Sequence, residues 1–138
     1  MRCAAILIAG VALVSPNFAF AQDMSKCIEM ETQGGMTECA IAALNTSDKK
    51  LNELYKRIEA RLSDDADTKK LLIQAQRDWI RFRDAECNFQ TAGAAGGSIA
   101  PALVAMCMDG LTQSRIEDFE GYLNCEEGDL SCPVPAAN

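Results

Sequence analysis

The sequence contains no histidine. Ser-His-Asp and Cys-His hydrolases, His-ligated zinc and haem with a proximal histidine are therefore excluded. Basic residues are scarce too, with 13 Lys and Arg against 20 Asp and Glu and a net charge of -7. That balance argues against a nucleic-acid partner, which needs a concentrated basic face. There is no CxxC pair, glycine-rich phosphate loop, internal repeat or strand-like alternation. Thiol exchange and thiolate metal clusters therefore have no motif to rest on. What is left is carboxylate chemistry, cysteine chemistry, or binding without chemistry, on a chain of 138 residues that suits one ordinary domain.

The first 21 residues read as a secretory signal peptide. Arg2 gives a positive start, residues 3–14 form an apolar run, and Ala19-Phe20-Ala21 is a small-x-small cleavage site. As a helix the run spans about 18 Å, short of a ~30 Å hydrocarbon core. No cysteine stands at the cleavage point to carry a lipid, so no membrane anchor is expected after processing. Cleavage removes Arg2 and Cys3 and leaves 117 residues, six cysteines and a net charge of -8. The expected location is a bacterial periplasm or the exterior.

The remainder, residues 22–123, reads as an all-α domain: a small disulfide-stabilised bundle of two to three long antiparallel helices. A short turn is expected over Met24–Glu31. Thr37 is placed to cap a first helix carrying Leu44, Leu51, Leu54, Ile58 and Leu62 at helical spacing, with a bend at Asn45–Ser47. A second helix, about Ala66–Phe89, presents Leu72, Ala75, Trp79, Phe82 and Phe89. Residues 91–98 are a glycine-rich loop, with Ser98 as a cap for a third helix over about Ala100–Leu123. Its expected inner face is Val104, Met108, Leu111, Phe119 and Tyr122, with a break at Gly110. Residues 124–138 read as an acidic, Pro-containing tail held by its two cysteines.

An even cysteine count in an exported chain indicates disulfides. Cys27 and Cys39 bracket the Gly34-Gly35 turn. Cys87 and Cys107 lie at similar depth on helices joined by the 91–98 loop, and Cys125 and Cys132 enclose a small acidic loop. The expected pairs are therefore Cys27–Cys39, Cys87–Cys107 and Cys125–Cys132.

Several local patterns occur together. They are Met36-x-x-Cys39-Ala40, Leu51-Asn52-x-x-Tyr55, Gly96-Gly97-Ser98, Leu111-Thr112-x-x-Arg115 and Tyr122-Leu123. The longest is Leu72-x-x-Ala75-Gln76-x-x-Trp79-x-x-Phe82-Arg83-Asp84-x-x-Cys87. This combination resembles the N-terminal domain family of the LprI-type lysozyme inhibitors, over about residues 27–123. Its most specific stretch is Ala75–Cys87. The resemblance implies a small exported helical domain whose partner is lysozyme. The chain departs from the lipoprotein form in having no lipidation cysteine.

The central motif supplies candidate residues for structure or binding: Trp79, Phe82, Arg83, Asp84, Glu86 and Arg115. A Trp at this spacing is a core residue by default and a ligand platform second. A partly buried pair between Asp84 or Glu86 and Arg115 would fix helix register. Asp78, Asp84, Glu86 and Asp109 are the carboxylates available for acid–base work, but nothing in the sequence supplies a cleft, so no catalytic residue is assigned. Asp64-Asp65-x-Asp67 lacks the spacing of a calcium loop and suits a helix N-terminus instead. No metal or cofactor is expected.

From Asp109 onward seven acidic residues face a single basic one, Arg115. That charge suits a basic partner and speeds encounter with it. Glu126, Glu127 and Asp129 form a candidate inhibitory loop. The leading expectation is a soluble exported binding protein, not an enzyme, directed at lysozyme or a similar basic cell-wall hydrolase. The alternative is a structural or assembly module of the cell envelope.

Overall fold

The computed structural model describes residues 26–136, so the expected signal peptide lies outside the described residues. Among these residues there is no strand, and three long helices make the fold: α1 (Gln33–Arg61), α2 (Ala66–Gln90) and α3 (Ala100–Leu123). One turn of 3-10 helix, Ala92–Ala94, lies in the connection before α3.

Helix α1 starts earlier than Thr37. The Thr32 side chain accepts from the Gly35 amide at 3.0 Å and caps a helix that includes both glycines of the expected turn. Helix α1 is also unbroken at Asn45–Ser47. Thr46 turns its hydroxyl back to the Ala42 carbonyl, and Ser47 is buried with a partner of its own. In α2 the N-cap is Asp65, accepting from the Thr68 amide at 3.0 Å. Hydrogen bonds from Thr68 hold its carboxyl below the usual aspartate range. Ser98 does not cap α3. It donates to the Gln33 side chain, and Ile99 precedes a first turn containing Pro101.

Successive helices are antiparallel. Lys69 meets Glu59 and Arg83 meets Asp48 between α1 and α2, while Cys87 is bonded to Cys107 between α2 and α3. Helices α1 and α3 therefore run in the same direction. Gln33–Ser98, Ser47–Asp109 and Arg61–Leu123 mark their common course from one end to the other. This α1–α3 pair forms the larger interface.

The α3 inner face differs from expectation. Its buried residues are Ala102, Ala105, Asp109, Thr112, Ile116, Phe119 and Leu123. They are separated alternately by three and four, an uninterrupted helical seam in which Gly110 makes no break. Two of the seven are polar, and the polar pair hid the seam from a reading that followed large apolar residues. Phe119 is fully buried in a cluster with Leu54 and Ile58 of α1 and Leu62 just past its end, with Tyr55 and Tyr122 beside it.

The tail does more than its disulfide. Val134 enters the core cluster beside the last turns of α1 and α3. Arg61 donates to the Leu123 carbonyl at 2.7 Å and to the Pro135 carbonyl at 3.5 Å. The first bond satisfies a carbonyl at the end of α3 that has no partner within the helix, and the second ties the tail to α1. The disulfides fasten three places: Cys27–Cys39 before and within α1, Cys87–Cys107 across α2 and α3, and Cys125–Cys132 in the tail.

Candidate interaction surface

The motif around Trp79 holds the three helices together. Arg83 has a side chain only 12% exposed and reaches all of them. It donates to Asp48 of α1 at 2.8 Å, to Asp84 of α2 at 3.0 Å and to Thr112 of α3 at 3.1 Å. Its guanidinium lies 5.4 Å from the centre of the Trp79 ring. Arg115 approaches the same ring at 5.9 Å and the Phe119 ring at 4.6 Å. The two cations thus sit against aromatic faces, where ring quadrupoles favour them.

The expected pair of Arg115 with Asp84 or Glu86 does not form. Arg115 donates to Gln76 at 3.3 Å and to Asp118, one turn along its own helix, at 3.3 Å. Asp84 is taken by the adjacent Arg83, and Glu86 accepts from Gln90. The reason is register: Gln76, not an acid, stands opposite Arg115 on the antiparallel helix. The family patterns contain Gln76 and Thr112 but assigned them no role, and Asp48 was missed, because each is an ordinary polar residue until another helix places it.

A second polar cluster lies one turn along the α1–α3 seam, near its middle. Asp109, 1% exposed, accepts from Ser47 at 2.5 Å and from Gln113 at 2.6 Å. A buried carboxylate needs such donors. A pocket of about 300 Å³ opens over this cluster, with Lys26, Thr46 and the Cys27–Cys39 bridge in its walls. Among the described residues no group of three His, Cys, Asp or Glu is placed to hold a metal ion.

Not all of the expected α2 stripe faces inward. Leu72 and Trp79 pack against the core, but Phe82 is 54% and Phe89 77% exposed. Together with Ala75 and Leu71, 70% exposed, they line the outer side of α2. Large apolar side chains thus stand on two adjacent sides of α2, with Gln76 and Arg83 among them on the inner side and Asp78 among them on the outer, and the bundle covers only the inner side.

The acidic end is built by the tail. Gly128 adopts φ +88° between Glu126 and Asp129, a backbone conformation open mainly to glycine. The Asp129 amide donates to the Glu126 carbonyl at 3.3 Å and closes this turn. Asp129 accepts from the Ser131 amide at 2.9 Å and from the Ser131 hydroxyl at 2.6 Å. Those bonds hold its carboxyl below the ordinary range and commit it to shaping the loop. Glu126 and Glu127 are exposed, and their carboxylates have no ion pair or hydrogen bond among the described residues. Asp65, the α2 cap, joins them around one open hollow of about 710 Å³. Its participation was hidden in the sequence, where it lies 61 residues before Glu126.

The profile of the family described as Lysozyme inhibitor LprI matches residues 24–119. The chain belongs to the LprI family. An uncharacterized protein of Rhizobium meliloti (strain 1021) is 29% identical over 114 residues, covering 73% of this chain and 81% of that protein. No solved structure gives a significant match. The LprI match takes in Trp79, Arg83, Thr112 and Arg115, the residues that join the helices. It stops before the acidic loop, which lies beyond the matched stretch. No described helix is long and apolar enough to cross a membrane.

Proposed function

We propose that this protein is an exported, soluble binding protein that inhibits lysozyme or a similar basic cell-wall hydrolase. It acts in the periplasm or outside the cell, without a membrane anchor and without catalysis of its own. Membership of the LprI family carries this reading. The acidic end adds physical support, since Glu126 and Glu127 are exposed and unpaired on a chain whose net charge is -8 once residues 1–21 are removed. An unpaired surface carboxylate attracts a basic partner over roughly a Debye length, ~10 Å at 0.1 M salt. In this reading the 126–129 loop contacts the hydrolase, while Trp79, Phe82, Arg83, Asp84, Glu86 and Arg115 belong to the scaffold and its flank. The test is titration of oxidised residues 22–138 against lysozyme at low and moderate salt, following cell-wall lysis. Inhibition that weakens with salt is expected. Absence of both binding and inhibition at micromolar protein overturns the reading.

One observation favours a second reading, an assembly module of the cell envelope. Phe82 and Phe89 stand exposed on the outer side of α2, and no part of the described chain covers them. Affinity capture from an envelope extract separates the two readings. Recovery of a structural envelope protein, lost in a Phe82→Ser/Phe89→Ser variant, favours the module.

A further inference from the structure

Beside the acidic hollow lies an apolar groove of about 210 Å³, lined by Leu71, Leu72 and Ala75 of α2, Tyr122 of α3, and Pro133 and Val134 of the tail. The two are contiguous, since Thr68, Pro133 and Val134 line both. We propose that this pair of hollows is a two-part docking site for a segment of a basic protein, in which one apolar side chain enters the groove and a neighbouring Lys or Arg meets Glu126, Glu127 and Asp65. The proposal deepens the inhibitor reading and rests on it for the identity of the partner.

Size, charge and occupancy support this. Small-molecule sites usually measure ~300–1,000 Å³, so the groove suits a single large side chain better than a whole ligand. An apolar anchor in a pocket with charged neighbours at its rim is the usual anatomy of a protein interface. The cations near the site are already engaged: Arg61 by the Leu123 and Pro135 carbonyls, Arg115 by Gln76 and Asp118, and Lys69 by Glu59. The two glutamates opposite them are not. Asp65 and Asp129 add to the negative charge at neutral pH, as exposed aspartates do, and the bonds from Thr68 and Ser131 hold both carboxyls below the usual range. The Cys125–Cys132 bridge and Val134 fix the tail against the bundle, so the acids and the groove keep their spacing.

The experiment measures binding of oxidised residues 22–138 to two probes, lysozyme and an amphipathic lysine–leucine peptide, across a salt series. Three variants are compared, with circular dichroism to check the fold: Ala75→Phe, which fills the groove, Leu71→Ser, which removes its outer wall, and Glu126→Gln/Glu127→Gln. Each groove variant is expected to weaken binding about tenfold at every salt concentration, the loss of one buried apolar side chain. The double glutamine variant is expected to weaken it about fivefold or more at low salt, with the difference fading as salt rises. Lysozyme binding that all three variants retain at full strength overturns the docking site and leaves the inhibitor reading standing. If lysozyme does not bind the unaltered protein, the inhibitor reading falls and the peptide alone judges the site. Peptide binding lost in the variants upholds the site, and no peptide binding overturns it.

Discussion

Arg83 is the side chain through which one polar substitution reaches all three helices. Arg83→Met keeps much of the stem and its packing but removes the guanidinium, and with it three hydrogen bonds and the contact with Trp79. The partners do not suffer equally. Asp48 and Asp84 are partly exposed and regain water, so each bond is worth about 0.5 kcal/mol. Thr112 is fully buried, and its hydroxyl loses a charged donor with no water to replace it, at about 1–2 kcal/mol. The ring contact adds about 0.5 kcal/mol. The whole comes to about 3 kcal/mol, or roughly 12 °C in Tm for a domain of this size. Urea and thermal unfolding followed by circular dichroism measure it. A second variant isolates the buried part. Thr112→Val removes the hydroxyl itself, so adding it to Arg83→Met is expected to cost about 1 kcal/mol less than the two singles together. Arg83→Met within about 0.5 kcal/mol of wild type, or a strictly additive double variant, would refute the view that this arginine joins the three helices.

Three further outcomes are expected. Phe119→Ala removes the largest fully buried side chain and is expected to cost about 3–5 kcal/mol, read as a lower urea midpoint with little change in slope. Non-reducing peptide mapping is expected to link Cys27 to Cys39, Cys87 to Cys107 and Cys125 to Cys132, and a Cys87→Ala/Cys107→Ala variant to lose about 3 kcal/mol, from release of a 20-residue loop in the unfolded chain. The folded carboxyl of Asp65 is depressed by hydrogen bonds from Thr68, so its stabilising effect is present above the unfolded aspartate value and is lost as pH falls through the lower folded one. Melting temperatures of wild type and Asp65→Ala are therefore expected to differ at neutral pH and converge in strong acid, and a gap that stays constant would count against the cap.

The helices were legible because their hydrophobic spacings are local, although the caps expected of Thr37 and Ser98 were not the ones used. Leu51, Leu54, Ile58 and Leu62 identify the α1 core face, and all four are buried. The face of α3 was not legible in the same way. Its seam runs Ala102, Ala105, Asp109, Thr112, Ile116, Phe119 and Leu123, so small and polar side chains occupy its first four positions. Following bulk led instead to Val104, Met108 and Leu111, which are only partly buried. The spacing of alternate threes and fours was nevertheless present, and it requires reading Asp109 and Thr112 as buried residues with partners. Those partners, Ser47 and Arg83, come from the other two helices, so no window along one helix contains the information. The same limit explains α2. Leu71, Ala75, Phe82 and Phe89 share one side, while Leu72, Gln76, Trp79, Arg83 and Cys87 share the next, and hydrophobicity alone favours the side that stays exposed. What selects the inner side is polar: turned inward, Gln76 meets Arg115 of α3, and Arg83 meets Asp48 of α1 and Thr112 of α3. The apolar outer side is then left for a surface role, and at its beginning, where Leu71 and Ala75 meet the tail, it adjoins the acids that Gly128 and the Cys125–Cys132 bridge hold in place.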